Sequence, residues 1–347
     1  MNKEYKPLVS VIIPNYNHSM YLDQSIQSAL NQTYPNVEVI VNDNCSTDCS
    51  VKVIRKYIPQ GVIVNKNPEN ILNSNYRVVY ERSHGKYFLL LCADDVLDHD
   101  FIEKAVKIME ECEDIGLVHG ERRYIDEKGN ITELDPFFNC SFMAKGKDML
   151  PIFMLTDVGQ SAQGLIRRSS FEQAGCHDTE HDHTNIDKEQ WFRLCMETDY
   201  AYLQDLAASI RVPSNISQTS ITVNSFYHPI ALYVTVKGFI HWGRLRIYPQ
   251  VVEREEKGMR KLANECIAMT RNLLAQGEYN LARQYLLFMG IADSDIMDTE
   301  EYGELLSLWK NKNGETDIAA EYGKTSSFAF HKRSYNPPED FLPLKEV

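Results

Sequence analysis

The sequence predicts an α/β fold, a mostly parallel sheet flanked by helices and followed by a C-terminal α-helical extension. Through about the first hundred residues, short β-branched runs alternate with segments of helical period, the pattern of strand-helix-strand units. Strand character disappears beyond about residue 215, and residues 253–289 carry a long helical pattern broken once, at Gly277. The chain has 347 residues, 43% of them hydrophobic, enough for one large core or for a catalytic domain with an appendage.

Residues 9–13 open the sheet as a β-branched strand. A helix over residues 21–31 places Leu22, Ile26 and Leu30 on one face, and residues 37–41 form the second strand. Val51, Ile54 and Tyr57 mark the next helix, residues 61–64 a third strand, residues 73–83 a polar helix and residues 87–91 a fourth strand. Phe101, Ala105, Ile108 and Met109 make another helical stripe; residues 117–119 read as a strand and residues 126–129 as a turn. The centre is less regular, with a strand at 164–166, helices at 169–174 and 188–197, and a pair of strands at 200–203 and 210–212. Residues 273–285 have the spacing of a single tetratricopeptide-like unit, too little for a repeat array. The tail from residue 310 is polar and contains Pro337-Pro338, as a loop or surface strap does. Domain boundaries are therefore drawn at 1–215, in two halves divided at about 120, and at 216–347.

Charge and cysteine usage narrow the function. With 36 Lys and Arg against 49 Asp and Glu, the net charge of -13 argues against a nucleic-acid partner, because phosphate backbones are held by clustered cations. Eight cysteines occur without Cys-x-x-Cys spacing and without a basic, apolar leader, so a reducing cytoplasm is expected. The most apolar stretches, 87–92 and 230–236, are far shorter than the roughly 20 residues that span a bilayer. The expectation is a chain that is soluble or peripheral on the inner face of a membrane.

Ligands of an open parallel sheet collect at the carboxyl ends of its strands, where adjacent loops part. Three loops qualify: Pro14-Asn15-Tyr16-Asn17, residues 43–48 beginning at Asp43, and Asp94-Asp95. Pro14 stiffens the first loop ahead of Tyr16, whose ring either lies flat on a nucleobase or packs on the sheet edge. Asp43 is placed to accept from a pyrimidine imide or a ribose hydroxyl, whereas Asp48 is placed to cap the next helix. Two consecutive carboxylates after the apolar run 88–91 are costly without a cation or donors. Mg²⁺ or Mn²⁺ relieves that cost through oxygen ligands shared with substrate phosphates; the alternative is that one of the pair caps the helix starting near His99. Neither G-x-G-x-x-G nor G-x-x-x-x-G-K-[ST] occurs, so dinucleotide dehydrogenases and P-loop enzymes lose their main support. His177, His181 and His183, with the acids between them, suggest a ligand set but lack helix-fixed spacing and read as solvated loop.

Residues 9–17, Tyr21-Leu22, residues 28–34 and residues 39–48 together resemble the large family 2 of inverting glycosyltransferases with the A-type nucleotide-sugar fold. The resemblance continues through residues 85–95, which end Cys92-Ala93-Asp94-Asp95, and through 165–175 to Val212, about three-fifths of the chain. It implies a Rossmann-like nucleotide-diphospho-sugar transferase sheet, with a nucleotide-binding half over about 1–120 and an acceptor half over 121–215. By this resemblance Tyr16 lies against the base and Asp43 binds the base or its ribose. Pro14, Asn15, Asn17, Asn75, Ala93, Asp94 and Asp95 complete the nucleotide-sugar-binding set. The metal ligand falls on Asp94, with Asp95 beside it, while the first acid of the family's D-x-D pattern is replaced by Cys92. The catalytic base falls on Asp187, with Glu189 as a rival by a slip of register and Ile186 in place of the usual preceding acid. The late Arg-x-His element reads Arg211-Val212-Pro213.

The same resemblance implies Mn²⁺ or Mg²⁺ as cofactor, a nucleotide-diphosphate sugar donor, most simply a UDP-sugar, and a saccharide or lipid-linked saccharide acceptor. Gln160, Gln163 and Trp191 flank the base and are expected on the acceptor side. Hexosyl or N-acetylhexosaminyl transfer in bacterial surface polysaccharide or glycoconjugate synthesis is the implied role. Arg244, Arg246 and His241-Trp242 either contact donor phosphates or an acceptor lipid, or pack as an amphipathic helix. Two alternatives stand beside this reading. A nucleotidyltransferase shares the layered fold and the metal but needs basic residues that the first loop lacks. A non-catalytic sugar-nucleotide-binding or scaffold module accommodates the departures at Cys92, Ile186 and Pro213.

Overall fold

A computed structural model of the protein describes residues 6–72, 74–156, 158–176, 186–212, 226–311 and 335–344. The chain divides into two compact units, one of Met1–Phe153, Asp157–Ser214 and His331–Val347, the other of Met154–Thr156 and Asn215–Phe330. In the first unit, β1 (Val9–Asn15), β2 (Val37–Asp43), β3 (Ile63–Lys66) and β4 (Tyr87–Leu90) pair in parallel, in the spatial order β4-β1-β2-β3. Val9, Val11, Ile12 and Ile13 are fully buried, which is why this strand, interrupted only by the buried Ser10, reads as an apolar run rather than an alternating one. The strands are linked by α1 (Leu22–Leu30), α2 (Ser50–Arg55) and α3 (Ser74–Glu81). Leu22, Ile26 and Ala29 of α1 are buried in the same core as Val39 and Val41 of β2.

Beyond β4 the chain forms β5 (Val96–Leu97), α4 (Phe101–Glu111), β6 (Ile115–Ile125), β7 (Ile131–Thr132), β8 (Phe142–Ala144) and α5 (Gly146–Leu155). It continues through β9 (Gly164–Arg167), α6 (Arg168–Gln173), α7 (Ile186–Glu197) and β10 (Asp199–Arg211). A last strand, β11 (Leu342–Pro343), comes from the C-terminal segment. The sheet runs β11-β8-β10-β6-β9-β4-β1-β2-β3, with β5 on β10 and β7 on β6. β9 is antiparallel to both β4 and β6, while β6 and β10 pair in parallel over most of their length.

Three expectations are corrected here. The predicted strand pair at 200–203 and 210–212 is one strand, β10, whose register against β6 shifts between Tyr202 and Leu206 and again before Ala208. Such bulges absorb the polar Gln204-Asp205 without ending the ladder. β6 likewise runs past the predicted end at His119, because Glu121 and Arg122 are buried as a pair 2.9 Å apart, with the Arg122 guanidinium 3.6 Å from the Phe137 ring centroid. The tail assigned to the helical region instead returns to the sheet: β11 pairs with β8, and Tyr335 bridges Phe138.

The second unit is helical: α8 (Tyr227–Leu245), α9 (Pro249–Val252), α10 (Glu255–Ala275), α11 (Tyr279–Ala292) and α12 (Glu300–Lys310). α10 and α11 form the predicted hairpin, turned at Gly277 with φ 77°, a left-handed conformation that glycine adopts without a Cβ clash. Leu262, Cys266, Leu273, Tyr285, Phe288 and Met289 fill its core.

Candidate active site

The parallel register sets Asn15 beside Asp43 at the carboxyl ends of β1 and β2. Asn15 Nδ2 donates to Asp43 Oδ1 at 2.9 Å and to Ser46 Oγ at 3.1 Å, and the Ser46 N–H donates to Asp43 Oδ2 at 3.1 Å. Asp43 is almost wholly buried, so these donors fix the orientation of its carboxylate. Asn17, at φ 57°, receives the Thr47 N–H on its Oδ1 at 2.8 Å and donates its own N–H to Ser46 Oγ at 3.0 Å. The two loops are therefore laced into one surface, beside Pro14, with Tyr16 left 41% exposed on it. Asp48 accepts from Ser50 N–H at the start of α2 and from Ser19 N–H, both at 2.9 Å. Burial raises its pKa, but these hydrogen bonds outweigh that and hold it below the usual range.

A buried asparagine network supports this surface from behind. Asn67 Nδ2 donates to Asn44 Oδ1 at 2.8 Å and to Asn75 Oδ1 at 2.9 Å, Asn42 Nδ2 also donates to Asn75 Oδ1, and Asn44 Nδ2 reaches Asn70 Oδ1 at 2.7 Å. Asn75 Nδ2 donates to the Asn42 carbonyl. Both ends of the Asn75 amide are thus used inside the protein, and its place is in the scaffold around Asp43 rather than on the ligand-facing surface. Asn42, Asn44, Asn67 and Asn70 went unnoticed in the sequence; the signal was the density of asparagine between residues 42 and 75.

The third loop follows β4. Cys92, Asp94 and Asp95 offer ligand atoms that all lie within 4.8 Å of one another, with Ala93 buried between them. Ser25 of α1 donates its hydroxyl to the Asp95 carbonyl at 2.6 Å. Arg211, at the end of β10, donates its N–H to Asp95 Oδ1 at 2.8 Å and its guanidinium to the carbonyls of Asp94 and Asp126 and to Gln24 Oε1. Its guanidinium also lies 4.2 Å from the Tyr21 ring centroid. Burial and the adjacent Asp94 charge push the Asp95 carboxyl well above the usual range, against the Arg211 N–H and the Cys92 thiol that lower it. Burial, then the charges of Asp95, Asp94 and Asp187, push the Cys92 thiol up as well. Asp187, ninety-odd positions along the chain, therefore belongs to the same electrostatic neighbourhood. Crowded, partly buried carboxylates of this kind fit a divalent cation that prefers oxygen ligands.

Asp187 and Glu189 both stand in the first turn of α7. Glu189 is buried and lies 3.8 Å from the Arg193 guanidinium one turn on. Trp191 is buried and donates its indole N–H to the Gly159 carbonyl at 2.8 Å. Gln163 is buried too, donating to the Gly120 carbonyl at 2.8 Å while its Oε1 accepts from Gln160 N–H at 2.9 Å. These contacts correct the acceptor-side expectation: Gln163 and Trp191 brace residues 159–163 with their polar atoms, and only Gln160 of the three is exposed. The brace closes on His119, buried with its ring edge-on to Trp191 at 4.7 Å and its Nδ1 3.2 Å from the Tyr200 hydroxyl. Gly159, at φ 77°, leaves no room for a Cβ, which would sit 2.3 Å from that ring. His119 was invisible as a site residue because all its partners are distant in sequence. The His177–His183 cluster, Asn185 and Pro213 lie outside the described residues.

Residues 10–175 match the family model for glycosyl transferase family 2. Over these residues the chain carries a glycosyl transferase family 2 domain. Among curated relatives, a glycosyltransferase of Haemophilus influenzae is 34% identical over 135 residues, 37% of this chain and 52% of that protein. The putative teichuronic acid biosynthesis glycosyltransferase TuaG of Bacillus subtilis is 36% identical over 110 residues, 31% of this chain and 44% of that protein. The chain thus spans about half the length of these relatives. Among solved structures, residues 1–349 of Staphylococcus aureus TarS in complex with UDP-GlcNAc superpose with TM-score 0.59 and 13% identity, over 98% of this chain and 100% of that one. The mannosyltransferase PcManGT of Pyrobaculum calidifontis, in complex with GDP-Man and Mn²⁺, gives TM-score 0.51 and 14% identity over 91% and 86% of the two chains. At such identities the likeness is one of fold, and that fold is the nucleotide-sugar sheet the family 2 motifs imply.

Proposed function

We propose that the protein is an inverting glycosyltransferase that moves a hexosyl or N-acetylhexosaminyl group from a UDP-sugar to a hydroxyl of a saccharide or lipid-linked saccharide. The observation that carries this reading is that Asp187, in the first turn of α7, adds its charge to those of Asp94 and Asp95 at Cys92. One side of the site suits a charged leaving group and the other an incoming alcohol. TarS, crystallised with UDP-GlcNAc, and TuaG, named for teichuronic acid synthesis, support the donor and a place in bacterial surface polysaccharide assembly.

In this reading Tyr16 supports the base and Asp43, oriented by Asn15 and Ser46, accepts from the base or ribose. Asp94 and Asp95 would hold Mn²⁺ or Mg²⁺, which when bound supplies positive charge against the diphosphate. Asp187 accepts the acceptor hydroxyl's proton as the new C1–O bond forms, while the bond from C1 to the diphosphate oxygen breaks and the nucleoside diphosphate departs. Arg211 keeps the Asp94-Asp95 backbone in place, and the His119-Trp191-Gly159 brace holds the loop beside α7. The site works on the cytoplasmic side, where nucleotide sugars are made.

The experiment is a thermal-shift panel of UDP-, GDP- and dTDP-sugars with Mn²⁺ or Mg²⁺, paired with detection of free nucleoside diphosphate. A UDP-sugar is expected to raise the melting temperature only with the metal and to release UDP when an acceptor is added. Binding without release identifies a sugar-nucleotide-binding module, and no shift with any donor overturns the reading.

A further inference from the structure

No Asp or Glu occurs between Asp205 and Glu253, in a chain that holds 49 acidic residues and a net charge of -13. Within this interval lies α8 and the turn that follows it, carrying Lys237, Arg244 and Arg246. Positions 227, 230, 234, 241 and 245 are spaced by three, four, seven and four residues, so they share one helix face. That face is turned to solvent: Tyr227 is 45% exposed, Ile230 41%, Val234 49% and Leu245 66%. The opposite face, with Leu232, Val236, Phe239 and Ile240, is buried. Solvent exposure of a whole apolar stripe is unusual for a helix that already buries its other side.

The turn extends the stripe. Ile247 is 82% exposed and sits at φ 60°, a left-handed conformation that disfavours a β-branched side chain. The fold thus places an isoleucine where asparagine or glycine is cheaper, and leaves it in water. Leu245 and Ile247 are interleaved with Arg244 and Arg246, and both arginines are exposed. Glu255, outside the acid-free interval, meets both Lys237 at 2.8 Å and Arg244 at 2.5 Å, so two cations share one carboxylate and the group keeps a net positive charge.

We propose that the face of α8 bearing Tyr227, Ile230, Val234, Leu245 and Ile247 docks on an anionic lipid surface. Charge decides between occupants. Two copies of this chain meeting through the stripe would bring their lysines and arginines together, and the rest of each copy is acidic. An anionic bilayer supplies the missing negative charge, takes the apolar side chains to the depth of the acyl boundary, and lets the arginine stems lie along them with their heads among the headgroups. The inference does not rest on sugar transfer, and either can fail without the other.

The test is flotation of the full chain with vesicles of phosphatidylcholine, with and without phosphatidylglycerol. Binding is expected only with phosphatidylglycerol and is expected to weaken at high salt. Two double variants, Leu245→Glu with Ile247→Glu and Ile230→Glu with Val234→Glu, are expected to weaken it by about tenfold or more. Their melting curves are expected to match the parent, since the replaced side chains are exposed. Equal flotation of parent and variants overturns the proposal, as does a parent that floats with neither vesicle. A lipid-free dimer in sedimentation equilibrium that the same variants split overturns it in favour of contact between copies.

Discussion

Asp187 and Asp94 have separable tasks, and single substitutions distinguish them. Asp187→Asn keeps the size of the side chain and removes its basicity, so turnover is expected to fall by roughly 10²–10⁴ with donor affinity nearly unchanged. Unchanged turnover would exclude Asp187 as the base. Asp94→Ala is expected to abolish the gain in nucleotide affinity that Mn²⁺ gives the parent, measured by calorimetry with and without the ion; a retained gain would remove Asp94 from the metal site. His119 makes a prediction of another kind. Burial lowers its pKa from 6.5 to about 3, so between those values the unfolded chain binds a proton that the folded protein refuses. Its contribution is intact above pH 6.5 and is lost as the pH falls through that window, by about 2 kcal/mol on reaching about pH 5. His119→Gln is expected to flatten this part of the stability profile in urea titrations; an unaltered slope would place the dependence elsewhere. The positions of Asp43 at the end of β2, of Asp94 after β4 and of Asp187 at the start of α7 follow from the spacing of the apolar runs in the sequence. Asn75, Gln163 and Trp191 were misplaced because their hydrogen-bond partners, Asn42, Gly120 and Gly159, are 33, 43 and 32 positions away.

At the level of elements, apolar periodicity revealed the nucleotide half of the sheet well. β1, β2 and β4 are largely buried parallel strands, and such strands announce themselves as mainly apolar runs, here interrupted at Ser10 and Glu38. The longer strands β6 and β10 were truncated or split in the sequence reading, since charged residues inside them look like loop. Their charges are reconciled only by tertiary partners, Arg122 for Glu121 and a bulge for Gln204-Asp205. The aromatic layer under β8 and β10 was equally hidden. Phe142 is fully buried, with ring centroids of Phe138, Tyr202, Tyr200 and Phe341 within 6.1 Å. Phe142→Ala is expected to cost about 3–5 kcal/mol, read as a lower urea midpoint at constant slope. A cost below 1 kcal/mol would mean that the layer collapses around the gap without penalty.

Across the whole molecule, the division into two units with separate hydrophobic cores predicts more than one thermal transition. Calorimetry is expected to resolve two, and a UDP-sugar with Mn²⁺ is expected to raise only the one belonging to the sheet unit. A single transition that shifts as a whole would show that the cores melt together. The strand pattern of the sequence fades beyond about residue 215, whereas no pattern marks the return of the chain after the helices. Residues 335–344 are rich in proline, and nothing in their spacing announces that Leu342 and Pro343 pair with β8.

That return has a practical corollary for dissecting the protein. The helical body is spliced into the sheet unit, leaving it near residue 214 and rejoining it near residue 331. Shortening the chain from its C-terminus therefore strips an edge strand from the nucleotide-sugar sheet before it frees that sheet of its helices. Isolating the sheet unit calls for internal excision, with Ser214 tethered to His331 by a flexible bridge.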